Sequence, residues 1–296
     1  MTVRQSKLDS SVFLAFFAIY VLWGSTYLAI RVAVESVPPL FAAGVRFMIA
    51  GAVLYPWARM RGELAPTREQ WRNLALLGAL MFLAPYGGLF WAEKTLPSGI
   101  AAVLVATIPL WTALLQVFVF RRQQMHWALL ASITLGVGGV MVLALGRNEG
   151  HLNWAACLAI LGSEISWSLA TVLTTFVSLP RSKLISSGAQ MLFGGAMLLV
   201  CSAIFGELHP LPHVSLRAAG AIAYLIVAGS LFAFTAYIWL LGRMPATTVT
   251  SYAYVNPVVA LVIGHWLGSE ALGPKTIVGS TLVLASVATL MRRSGH

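Results

Sequence analysis

The sequence predicts an all-α integral membrane protein of ten transmembrane helices, arranged as two inverted five-helix repeats. Three observations carry that prediction. The first is composition: 59% of the 296 residues are hydrophobic and 9% are charged, with a mean hydropathy of +0.84. A soluble domain carries about 25% charged residues, so this chain has too few to cover a water-facing surface. The second is segmentation into ten apolar runs, each near the roughly 20 residues that span a bilayer. The third is a repeat. Trp91, Pro97 and Pro109 match Trp239, Pro245 and Pro257 at a constant offset of 148, while Trp23, Gly44 and Gly51 match Trp167, Gly188 and Gly195 at an offset of 144.

The spans fall at 12–34, 39–58, 73–91, 97–120, 126–146, 152–176, 184–205, 217–241, 245–267 and 275–291. The runs are continuous rather than alternating, which excludes a transmembrane β-barrel. The first is too long for a signal-peptide core and lacks a convincing cleavage site, so it stays a span. The second and seventh are rich in small residues. In the third, Pro85 with Gly87 and Gly88 weakens the helix at Met81, and in the fourth Pro109 frees the carbonyl of Val105, because proline removes one helix hydrogen bond. The sixth carries Glu164. The ninth is the most polar, with Thr247, Thr248, Thr250, Ser251, Tyr252, Tyr254 and Asn256 ahead of Pro257, which frees Ala253. Carbonyls freed at mid-membrane accept either a ligand ammonium or neighbouring hydroxyls. Cys157 and Cys201 both lie in apolar segments, which argues against a disulfide.

Thirteen Lys and Arg residues fall in one set of loops: Arg4, Lys7, Arg59, Arg61, Arg68, Arg72, Arg121, Arg122, Arg181, Lys183, Arg243, Arg292 and Arg293. The other set holds four, Lys94, Arg147, Arg217 and Lys275. Positive charge stays on the cytoplasmic side, so both termini are expected there, in an inner membrane of bacterial type. Glu35, Glu93, Glu149, Glu207 and Glu270 then lie in the outer loops. The net charge of +10 is spent on topology, and no basic run with interleaved aromatics points to nucleic acid. Each unit, 1–147 and 148–296, has five spans, so the second copy enters the membrane upside down. Inverted copies around a midplane site are a recurrent transporter plan.

These residues carry a resemblance. The stretches YVLWGSTYLAIR at 20–31 and EISWSLATVL at 164–173, GVRFMIAGAVL at 44–54 and GAQMLFGGAML at 188–198, the fourth and ninth spans with Pro109 and Pro257, and LGSEAL at 267–272 resemble the two EamA domains of the drug/metabolite transporter superfamily. The likeness covers nearly the whole chain. It implies a permease for a small organic solute, an amino acid or related metabolite, moved outward. The family's acidic residue after the fourth helix stands in copy two as Glu270, where copy one has Arg122.

The residues themselves point to a site. Glu164 is the one acidic residue well inside a span, and an ionisable group there faces a cavity or a partner. It is a candidate for proton coupling, or a hydrogen-bonded structural carboxyl. At helical spacing Glu164, Trp167, Ser168, Thr171 and Thr175 share a face, and their repeat partners are Tyr20, Trp23, Gly24, Tyr27 and Arg31. A polar stripe turned to lipid would leave its groups unpaired, so both stripes should face inward. Trp23, Tyr27, Tyr86, Trp167, Thr171, Tyr254 and Asn256 are the expected substrate contacts, since flat rings with polar edges suit an amphipathic solute. The cavity is expected between segments one, three, four, six, eight and nine. Arg46 admits two readings, a contact for a substrate anion, or a salt bridge to Glu35 or another structural contact near the membrane edge. No cofactor or metal is expected: His209 and His213 are too sparse for a zinc site. Neither a phosphate loop nor an HExxH or GxSxG motif is present, so enzyme chemistry is not supported. The expected partners are a small-molecule solute, the bilayer and a proton, with the chain as a monomer. An importer of sugars or metabolites, and a membrane-embedded enzyme, are the alternatives.

Overall fold

The computed structural model describes residues 10–122, 124–125, 127–144, 153–209, 213–241, 243 and 252–294. The described residues form ten helical rods. They are α1 (Ser10–Val34), α2 (Pro39–Met60), α3 (Arg68–Ala92), α4 (Ser98–Phe118), α5 (Trp127–Ala144), α6 (Trp154–Leu173), α7 (Lys183–Ile204), α8 (Leu216–Tyr224, Leu225–Ala233 and Phe234–Leu241), α9 (Tyr252–Gly268) and α10 (Pro274–Ser294). Seven are long and apolar enough to cross a membrane, α1 to α4 and α6 to α8. The start of the ninth expected span, including Thr247, Thr248, Thr250 and Ser251, lies outside the described residues. α3 begins earlier than hydropathy alone predicts. Thr67 and Gln70 form a capping box at its start, satisfying helix-end N–H groups in a polar stretch that a hydropathy window passes over.

The packing obeys a two-fold relation between the halves. α2 packs on α7, α4 on α9 and α5 on α10, each rod on its own repeat partner. The pairs α1–α8 and α1–α9 are mirrored by α6–α3 and α6–α4. The α2–α7 crossing shows the relation atom by atom. A Cβ on Gly51 would come within 2.8 Å of the Gly188 carbonyl oxygen, and one on Gly195 within 3.1 Å of the Gly44 carbonyl oxygen. Small residues let membrane helices approach this closely. Backbone turns repeat as well. Gly62 and Gly206, at φ 85° and 76°, end α2 and α7, and Arg121 and Ser269, at φ 52° and 53°, follow α4 and α9.

Three rods contain π-helical turns, at Ala18–Leu22, Ala79–Leu83 and Leu225–Ala233. Such turns release backbone carbonyls, and side chains from neighbouring helices occupy them. Ser166 and Ser163 donate to the carbonyls of Leu80 and Ala84 at 2.9 and 3.0 Å, and the Trp23 indole donates to Gly229 at 2.9 Å. α4 breaks at Ala106–Thr107, ahead of Pro109, and Ser168 donates to Ile108 at 3.1 Å. Hydroxyls and an indole, rather than open coordination sites, take these carbonyls.

Candidate functional site

A cavity of about 790 Å³, part of it open to solvent, lies between the two halves. α1, α3, α4, α6, α8 and α9 all line it, and α2 and α7 add Arg46, Phe47 and Met191. Two aromatic clusters contribute to its lining. One stacks Phe47, Phe82, Tyr86 and Trp167: the Phe47 and Tyr86 centroids are 4.5 Å apart, and those of Tyr86 and Trp167 6.3 Å. The other groups Trp23, Phe234, Tyr237 and Tyr252, with Trp23 at 5.3 Å from Tyr237 and 5.2 Å from Tyr252. Trp23 and Trp167, repeat partners, belong one to each cluster and both line the cavity.

Arg46 heads the first cluster. It is 2% exposed, its Nε donates to the Ser230 hydroxyl at 3.1 Å, and its guanidinium lies 4.8 Å from the Phe47 ring centroid and 5.2 Å from that of Tyr86. Its Nη1 is buried without a hydrogen-bond partner among the described residues. Gly229 makes room for it, since a Cβ there would sit 3.0 Å from Nη2. The expected salt bridge to Glu35 does not form. Glu35 pairs with Arg217 at 3.3 Å on the surface, because Arg46 turns inward onto Ser230 rather than outward along α2.

Glu164 lines the cavity at 3% exposure. Tyr27, Tyr86, Trp23, Trp167 and Asn256 line it too. Asn256 also braces α1: oriented to donate, its amide nitrogen lies 3.0 and 3.1 Å from the carbonyls of Ile19 and Tyr20 in the first π turn. Thr171 does not join the wall. It is exposed, and its hydroxyl turns back onto the Trp167 carbonyl at 2.9 Å. Tyr254 belongs to α9, but its side chain lies outside the described residues. Tyr252, one helical turn before Asn256, lines the cavity instead, and the spacing of four from Asn256 was the available signal. Ser230 gave a weaker one, a lone hydroxyl in the apolar run LIVAGSLFA.

The end of the bundle that carries Glu270 is sealed. Ile30, Ala33, Ala92 and Leu96 are 0 or 1% exposed. Glu270 accepts hydrogen bonds from the N–H groups of Ser98 and Gly99, at 2.7 and 3.2 Å, at the start of α4. Its carboxylate also lies 3.6 Å from Arg31 Nε, and Arg31 donates to the Leu96 carbonyl. Glu207 does the same for α2, accepting from Leu40 and Phe41 at 3.3 and 3.0 Å. Carboxylates suit helix N-termini because they meet free N–H groups and the positive dipole end. Glu93 lies in the turn after α3, in the loop expected, and is 1% exposed. Burial first, and the nearby Glu270 second, push its carboxyl well above the usual range.

The EamA-like transporter family model matches residues 10–145 and 154–292, one match for each half. The chain belongs to the EamA-like transporter family. It is 40% identical over 264 residues to the uncharacterized inner membrane transporter YedA of Escherichia coli (strain K12), covering 88% of this chain and 84% of that one. It is 26% identical over 275 residues to a probable terminal-alkyne amino-acid exporter of Streptantibioticus cattleyicolor, covering 93% and 91%. A solved crystal structure with 22% identity shares the fold at a TM-score of 0.66, over 97% of this chain and 99% of that one. EamA-like membership makes the protein a transporter of a small-molecule solute in a membrane.

Proposed function

We propose that this EamA-like protein exports a small amphipathic solute bearing a carboxylate, an amino acid or a related metabolite, by alternating access. The observation that carries the reading is the Nη1 of Arg46, without a hydrogen-bond partner among the described residues and buried at a cavity walled by Tyr86 and Trp167. A fixed guanidinium with a free N–H is a carboxylate receptor, and the rings offer an apolar side chain flat surfaces. The relative named for amino-acid export supports the same class. The two units, 1–147 and 148–296, exchange conformations around the cavity, which turns one opening into the other. Glu164 carries the coupled proton, because a cavity-facing carboxyl at mid-membrane is a natural relay. The Lys and Arg bias puts both termini in the cytoplasm and the Glu270 end outside, an orientation tested by outside labelling of a cysteine at Lys94. The chain acts as a monomer.

Purified protein in liposomes tests the reading with a panel of amino acids, nucleosides, sugars and cationic dyes. Flux is expected for an apolar or aromatic amino acid. Arg46→Gln should weaken its apparent affinity by about tenfold or more, the scale of one charge-assisted hydrogen bond, and leave uncharged solutes alone. Glu164→Gln should keep exchange but lose accumulation driven by a pH gradient. Flux confined to sugars or nucleosides, or unaltered by Arg46→Gln, would overturn the assignment.

A further inference from the structure

The transport reading leaves Glu93 unused. Glu93 lies one turn past the cavity-wall residue Leu89, its N–H on the Leu89 carbonyl at 3.0 Å. Its side chain is buried, and neither carboxyl oxygen has a hydrogen-bond partner among the described residues. Four titratable or charged groups act on it electrostatically, Tyr27 and Arg31 from α1, Arg46 from α2, and Glu270 from the turn after α9, and the Arg31 backbone N–H also favours its anion. Both cations are already engaged, Arg31 with Glu270 and the Leu96 carbonyl, Arg46 with Ser230. Glu93 therefore sits at the seam where α1, the start of α4 and the end of α9 are tied together, beside the ties but not in them.

An ionised carboxyl without hydrogen bonds is costly to bury, and Glu270 beside it adds repulsion. The sealed seam accommodates the neutral acid. Water entering the seam would let the acid ionise, and the new anion would stand next to Arg31, the guanidinium that holds Glu270. We propose that Glu93 is a protonation latch for the Glu270 end of the transporter. The proton leaves to water on that side as the seam opens. The carboxylate then competes with Glu270 for Arg31, which loosens the cap on α4. Because the sealed form binds the proton more tightly, acid on that side favours sealing and a rise in pH favours opening. The inference rests on the alternating-access reading and names the group that controls one of its two gates.

The test uses the full chain in liposomes, with Cys157→Ala and Cys201→Ala and a single reporter, Leu96→Cys, in the seam. A membrane-impermeant maleimide is added outside at a series of pH values. Lys94→Cys, exposed two residues earlier, corrects for the titration of the thiol itself. Relative labelling at position 96 should rise with pH, by at most about tenfold per unit for one linked proton. Glu93→Gln, a neutral isostere, should hold it low and flat, and Glu93→Asp should restore the slope. A wild-type slope in Glu93→Gln overturns the latch, as does labelling at 96 as fast as at 94 at every pH. Flux in the same vesicles separates the two readings. Flux with an unchanged slope in Glu93→Gln removes the latch alone. No flux, with a slope that Glu93→Gln abolishes, keeps the latch and removes the transport reading.

Discussion

The chain turns the same way twice, after α4 and after α9. Arg121 and Ser269 take φ 52° and 53°. The next N–H bonds back six residues each time, Arg122 to Gln116 at 2.8 Å and Glu270 to Gly264 at 3.0 Å. The two backbones agree, and the side chains at positions 122 and 270 do not. Glu270 is buried and binds the start of α4 and Arg31. Arg122 is exposed and lies 4.6 Å from the ring centroid of Phe176. The pair Glu207 and Glu63 splits likewise. Glu207 caps α2, whereas its counterpart Glu63 is exposed. A symmetric scaffold gives two equivalent ends, and at these two pairs of positions one end holds carboxylates bound to helix starts where the other holds exposed side chains. The repeat builds the fold, and departures from it give the molecule polarity.

The comparison breaks hardest at Glu270. Glu270→Ala strips two N–H groups at the head of α4 of their acceptor and leaves Arg31 without its carboxylate. A buried donor left unsatisfied costs about 1–3 kcal/mol, and the loss of the Arg31 pair adds less because that side chain is 34% exposed. A large fall in stability is expected in equilibrium unfolding of the detergent-solubilised protein, together with faster labelling at the Glu270 end. A loss under about 1 kcal/mol, the scale of an exposed ion pair, would mean the two ends do not differ as described.

The sequence made the scaffold legible and the polarity only half so. Rod boundaries follow apolar runs, so they emerge within a few residues, apart from the capped polar start of α3. Of the expected cavity residues, Trp23, Tyr27, Tyr86, Trp167, Asn256, Glu164 and Arg46 do line it, because a polar or aromatic group in a membrane helix has few other places to face. Thr171 misled, although its repeat partner Tyr27 is on the wall. α1 passes through a π turn before Tyr27, while α6 runs as regular helix through Thr171, so equal spacing in sequence does not give equal facing. Glu93 and the Arg46–Ser230 contact were hidden for a different reason. Both depend on which helix packs over a residue, and a hydropathy window carries no such information. Placing Glu270 beside Ser98 required the α4–α9 contact, which joins residues 172 apart in the chain.

Where the halves do agree, matched substitutions should act alike. Gly51 and Gly195 are repeat partners, and each meets backbone atoms of the opposite helix. The nearest are the Gly188 carbonyl oxygen at 2.8 Å for Gly51 and the Met48 nitrogen at 2.6 Å for Gly195. Backbone cannot swing aside as a long side chain can, so an added methyl must part the helices. Gly51→Ala and Gly195→Ala should each cost about 1–3 kcal/mol, the usual range for overpacking. Costs that differ by more than about 1 kcal/mol would exceed ordinary context scatter and show that the two-fold relation fails at the α2–α7 crossing.

The smallest effect belongs to the partner of Glu270. Arg122 is exposed and its described contact is with the Phe176 ring, so its removal leaves no buried group unpaired. An exposed cation–π contact is worth about 0.5–1 kcal/mol. Arg122→Ala should therefore fall at or below that value, several times less than Glu270→Ala at the matching position. Arg122→Glu sharpens the question. If the acidic side chain alone confers tightness, the new carboxylate should firm up the end that lacks one. Labelling of reporter cysteines at that end should slow in Arg122→Glu. The asymmetry would then reside in one side chain of each pair. Unchanged labelling would place it instead in how the helices around position 122 pack, with Glu270 making use of a seam that α4 and α9 form on one side only.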